Sequence, residues 1–218
     1  MNKMKLIAGT ILFGSLWGFS ECIIGSYLHN SFLPAGAIMT GVFAVGLMAI
    51  SRILYKQRGM QFGMGLIAGT LRLFNPCGTC FICSAIAIMA EGAIFELIWY
   101  KMSLDLTELK KTTMSVSMGI VSSYVCFVGG YIVTQIMTPL FSSAGFYLEN
   151  LLVFIPQILA RGLIAALIGG AILPAALLLK KIDIASVKNK VYYPVTATVS
   201  AACWIIVILN AIFILKVL

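Results

Sequence analysis

The stretch from Phe74 to Tyr100 concentrates the residues most capable of chemistry. Asn75-Pro76 breaks the chain, Cys77, Cys80 and Cys83 follow at three-residue spacing, and a long apolar run then carries Glu91 and Glu96. Four more ionisable side chains interrupt apolar segments elsewhere: Glu21, His29, Arg72 and Arg161. A charged group inside hydrocarbon is costly, so each should face a partner, a cavity or a ligand rather than lipid. Carboxylates and guanidiniums together suit a zwitterionic or hydrogen-bond-rich small molecule, with Arg gripping a carboxylate or phosphate bidentately. The candidate substrate-binding set is therefore Trp17, Glu21, His29, Arg72, Glu91 and Arg161. The bland alternative pairs Glu21 with Arg72 and Glu91 with Arg161 as structural ion pairs. A buried pair adds little net stability after desolvation. Trp17, one turn before Glu21, stacks on a ring of the ligand or simply packs. His29, the single histidine, is a ligand-facing residue or an ordinary interfacial hydrogen-bonder.

The cysteines admit three readings. Thiolates at C-x2-C-x2-C spacing suit zinc or an iron–sulfur cluster, with Cys22 or His29 as the fourth ligand. Cys77-Gly-Thr-Cys80 also has thioredoxin-type spacing, where a helix N-terminus lowers a thiol's pKa. In the third reading the cysteines are small apolar residues filling gaps in a bundle.

The elements that must position these residues follow from composition. Hydrophobic residues make up 61% of the 218 and charged residues only 10%, against about 25% charged in a soluble domain. Such a chain cannot cover a water-facing surface, and the expected fold is an all-α polytopic membrane bundle, one domain over residues 1–218. Seven apolar stretches approach or reach the roughly 20 residues a span needs: 5–27, 33–55, 59–75, 80–100, 113–137, 151–179 and 193–216. The third is short, and Pro156 and Pro174 are expected to break the sixth into a surface turn plus a span. Six or seven helices therefore cross. The first run shows no Ala-x-Ala-type cleavage site and reads as a retained helix rather than a signal peptide.

Lys3, Lys5, Arg52, Lys56, Arg58, Lys101, Lys110, Lys111, Lys180, Lys181, Lys188 and Lys190 fall in alternate connections, whereas the connections near His29, Cys77 and Phe141–Glu149 carry no Lys or Arg. The positive-inside bias then places the N-terminus in the cytoplasm. Charge distributed in this way argues against nucleic acid, despite the net +8. The segment Leu-Ile-Ala-Gly-Thr recurs at Leu6–Thr10 and Leu66–Thr70, either a parallel repeat of the kind transporters use or a chance match in a chain this rich in these residues.

In this topology almost every intramembrane ionisable group falls in the outer half, with Glu91 deepest and Glu96 near the inner end. That asymmetry points to a cavity opening outward. At 100° per residue Gly14, Gly18, Glu21, Gly25 and His29 share one stripe of the first helix, and Cys80, Ser84, Ala87 and Glu91 one stripe of the fourth. Gly119, Ser123, Cys126 and Gly130 on the fifth helix, and Gly162, Ala166 and Gly170 on the sixth, read as tight-packing faces.

Two passages resemble the substrate-binding S components of energy-coupling factor (ECF) transporters: Trp17-Gly-Phe-Ser-Glu21 through Leu28-His29 with Pro34-Ala-Gly36, and Ile88-Met-Ala-Glu91-Gly-Ala-Ile-Phe-Glu96. The resemblance implies a subunit of a prokaryotic plasma membrane, embedded in lipid, that captures a vitamin or other micronutrient. It also implies a coupling transmembrane subunit and cytoplasmic ATPases as partners, with Ala8, Gly9, Gly14 and Gly18 as the coupling contact. The chain departs from that pattern in its seven candidate spans, where six are usual, and in lacking alanines four apart on the first helix. It has no Met-His start of the kind nickel and cobalt carriers use. No G-x-x-x-x-G-K-[ST] loop is present, so a non-enzymatic role is expected, with energy from partners or a gradient. The alternatives are a membrane thiol–disulfide oxidoreductase using Cys77 and Cys80, and a free-standing transporter in which Glu91 carries protons.

Overall fold

A computed structural model describes residues 3–75, 81–100, 111–141, 149–182 and 184–217. The described residues form helices and short connections with no strand. Lipid offers no partner for backbone N–H and C=O groups, so a chain this apolar satisfies them within helices. Six helices are long and apolar enough to cross a membrane, and the chain is a multi-pass, all-α membrane bundle. We label the helices α1 (Lys3–Asn30), α2 (Ala35–Tyr55), α3 (Met60–Leu73), α4 (Phe81–Tyr100), α5 (Thr112–Phe141), α6 (Glu149–Leu177) and α7 (Asn189–Val217).

The short one is α3, whose 14 residues rise only about 21 Å. It nevertheless follows the alternation of a full span. Gly14 of α1 lies against Met64 and Ile67, and Gly18 against Ala68 and Leu71, so α1 and α3 run parallel. Gly65 meets Gly92 while Gly69 meets Ala85 and Met89, so α4 runs back. The remaining contacts continue the pattern. Gly9 abuts Tyr55 and Gly25 abuts Met39 (α1 against α2); Gly41 abuts Ile168 and Gly46 Ile172 (α2 alongside α6); Gly119 abuts Gly169 and Gly162 Tyr124 (α5 against α6). Neighbouring contacts close α1, α3, α4, α5, α6 and α2 into a ring. α7 lies outside that ring on α1, parallel to it, joined by Tyr192 to the Lys5 carbonyl and by Trp204 to Ser15.

One expectation is overturned. Pro156 and Pro174 do not divide the sixth helix, which runs unbroken through both; neighbouring helices in a membrane bundle can re-satisfy the backbone groups a proline frees. The two left-handed residues of the α2–α3 connection, Lys56 and Gly59 (φ 51° and 83°), reverse the chain within four residues.

Packing differs between the two ends. Burial against lipid supplies no hydrophobic gain, so close van der Waals contact must hold the helices together, and the backbone approaches at Gly65–Gly92 and Gly119–Gly169 provide it. At the end that the basic clusters predict to face the cytoplasm, labelled inner for that expectation, the ring is filled by Phe13, Trp17, Met48, Ile53, Phe95 and Trp99. Arg52, buried there, reaches Glu96 Oε1 (3.0 Å), Gln61 Oε1 (3.2 Å) and the Trp99 carbonyl (3.0 Å). An ion pair not anticipated from the sequence, Arg52–Glu96, thus forms in the interior; Arg72 acts electrostatically on Glu21, whereas Arg161 is exposed on α6.

Candidate functional site

The outer end of the ring opens into a cavity of about 630 Å³ lined from α1, α2, α3, α4 and α5. Glu21, His29, Arg72 and Glu91 all line it, so four of the ionisable residues singled out in the sequence meet in one space. Thr40 donates to Glu91 Oε1 at 2.9 Å, Arg72 Nε donates to Ser84 Oγ at 3.2 Å, and Trp17 Nε1 donates to Glu21 Oε1 at 3.2 Å. The second Glu91 oxygen is buried and has no hydrogen-bond partner among the described residues. Gly130 lets α5 approach the Glu91 side chain, since a Cβ there would lie 2.9 Å from Cγ.

Two π-helical turns shape the walls. Ser20–Ile24 carries Glu21, and Met39–Ala44 carries Met39 and Thr40. Such turns hydrogen-bond i to i+5 instead of i to i+4 and often mark functional sites. They also re-phase the helix, which explains why the anticipated α1 stripe divides. Gly14 and Gly18 pack against α3, whereas Glu21, Gly25 and His29 face the cavity. On regular α4 the described part of the anticipated stripe, Ser84, Ala87 and Glu91, lies on the cavity wall.

Asn75, fully buried, donates Nδ2 to the Cys22 carbonyl at 2.8 Å and to Ser26 Oγ at 3.4 Å. It fastens the end of α3, and with it Arg72, to the wide turn of α1. The Cys22 carbonyl also accepts from Ser26 Oγ at 2.7 Å, so replacing Asn75 by alanine removes two hydrogen bonds rather than stranding the carbonyl, at about 1 kcal/mol each. The Asn75→Ala protein should therefore melt several degrees lower, and a melting curve matching the parent would contradict this role.

The other candidates fall elsewhere. Trp17 is fully buried in the core and does not line the cavity; its ring has no open face for a ligand, and it acts on the site through its bond to Glu21. Arg161 is exposed on α6 and lies outside the cavity, so Glu91 takes Thr40 rather than Arg161 as its partner. Gly9, Gly14 and Gly18 are buried against Tyr55 and α3, and half-buried Ala8 packs on the core. The three glycines therefore offer no free face to a coupling subunit. Cys77 and Cys80 lie outside the described residues. Cys83 is disulfide-bonded, so it has no thiolate to give a metal, and among the described residues no group of three His, Cys, Asp or Glu side chains is placed to hold one. Thr40, Met39, Tyr131 and Thr134 also line the cavity and escaped the sequence reading. Thr40 alone offered a signal there, as a hydroxyl between Met39 and Gly41 in an apolar run.

No protein family, curated protein or solved structure matches this chain. The site therefore has to be interpreted from its own chemistry: two carboxylates, a guanidinium and an imidazole around a space of small-molecule size, on apolar walls.

Proposed function

We propose that the chain is a membrane-embedded, non-enzymatic capture subunit of an uptake transporter for a micronutrient-like small molecule. The observation that carries this reading is the cavity: four costly polar side chains from α1, α3 and α4 converge on about 630 Å³ of open space. Binding pockets for small molecules typically enclose about 300–1,000 Å³. The distribution of Lys and Arg supports an outward-facing mouth in a plasma membrane, and a disulfide at Cys83, at the start of α4 beside that mouth, suits an oxidising compartment. The chain has no nucleotide-binding loop, so partner ATPases and a coupling membrane subunit supply the energy, as in the S components it resembles.

Affinity purification from its native membrane tests the reading. ATPase and membrane subunits are expected to co-purify, and solute uptake should stop when ATP is depleted. Purification alone, with uptake that ignores ATP but collapses with the proton gradient, would point to a free-standing transporter using Glu91. The Cys83 disulfide favours one second reading, thiol–disulfide exchange at Cys77 and Cys80. Exchanging Cys77, Cys80 and Cys83 for serine separates the two, because uptake that survives the change removes the redox role.

A further inference from the structure

We infer that the cavity takes an organic cation: a molecule whose protonated amine sits between Glu91 and Glu21, with its body against the apolar wall. The inference rests on the binding role proposed above. Thr40 occupies one Glu91 oxygen, and the other is buried without a partner among the described residues, on a side chain only 8% exposed that lines the cavity. A buried acceptor left without a partner is costly, and an ammonium donor arriving in the cavity relieves that cost. Glu21 lines the same space with one oxygen held by Trp17. Two carboxylates thus confront a single guanidinium, that of Arg72, whose Nε is directed to Ser84. A cation lodged between the two favours the charged form of each, and at low effective dielectric its attraction to them is strong.

The arrangement suits an amine better than a metal ion. Metal binding needs several ligands converging on one point, and no such group of three occurs among the described residues. The wall instead offers Met39, Ala87, Ile88 and the Tyr131 ring, surfaces for an apolar body and for a cation against an aromatic face. Ser84, which holds Arg72, and Glu91 lie seven residues apart on α4, a rise of about 10 Å. A second, acidic group on the same molecule would reach Arg72 if it stood up to that distance from the amine.

Charge-matched thiol reagents test this on the full-length protein without knowledge of the solute. Cysteine is introduced as Ala87→Cys and, separately, Thr134→Cys, both on the cavity wall. Each variant is treated from outside with methanethiosulfonates carrying an ethylammonium, an ethylsulfonate or a neutral methyl group. Rates are normalised to those with glutathione, and the unmodified parent, whose Cys22, Cys126 and Cys203 are buried, serves as the blank. The ammonium reagent should react at least about tenfold faster than the sulfonate, the scale on which focused fields act, and adding Glu91→Gln should remove most of that ratio. Equal rates, or a faster sulfonate, overturn the cation inference while leaving a binding cavity in place. Failure of every reagent at both positions means the cavity is closed to solutes, which overturns the binding role and the inference with it.

Discussion

Arg52→Met should cost about 3–5 kcal/mol of stability, the penalty for leaving one partner of a buried ion pair without the other. Arg52 is 1% exposed and holds Glu96, Gln61 and the Trp99 carbonyl together across α2, α3 and α4. Without it, the Glu96 carboxylate is left charged in a packed apolar interior. The double variant Arg52→Met/Glu96→Gln removes that charge and should recover most of the loss, because well-packed neutral replacements of buried pairs are often close to neutral. Thermal unfolding of both proteins in detergent or nanodiscs measures this. If single and double variants melt together, the pair is not what stabilises the inner end.

The second large effect is expected at Gly92. A Cβ there would stand 2.8 Å from the Gln61 carbonyl oxygen and 2.9 Å from the Gly65 Cα. Both are backbone atoms, so no rotamer change can absorb the intrusion. Overpacking ordinarily costs about 1–3 kcal/mol, and Gly92→Val, with two further methyl groups at a helix crossing, should exceed that range. The harm extends to the cavity, since the wedge drives α3, with Arg72, away from α4, with Ser84 and Glu91. Thiol labelling at position 87 should change along with the melting temperature. Gly25→Ala is the control. Its Cβ would meet only ordinary contacts at 3.6–3.8 Å, so stability should hold, and a loss as large as that of Gly92→Val would contradict the packing account.

What the sequence made legible divides along a physical line. Polar residues inside apolar runs are conspicuous because hydrocarbon penalises them, and Glu21, His29, Arg72 and Glu91 were visible for that reason before any geometry was known. Basic clusters between runs set the alternation of helix direction that the packing contacts reproduce. Contacts between helices left no such trace. Nothing local marks Thr40 as the partner of Glu91, or Gln61 as a partner of Arg52. Arg52 was hidden in a different way: a basic residue at a span's inner end looks like a loop charge, yet it is among the most buried side chains present. The wheel drawn for α1 failed past Phe19 because a π turn intervenes, and hydropathy carries no mark of such turns. Proline misled at α6, where the helix passes through Pro156 and Pro174.

The plugged inner end has a consequence of its own. Whatever enters from the open side reaches a cul-de-sac, floored by tryptophans and a locked arginine. Going further means first prising Arg52 from Glu96. At rest the cavity is thus open at one end of the ring and closed at the other by packed side chains and the Arg52–Glu96 pair.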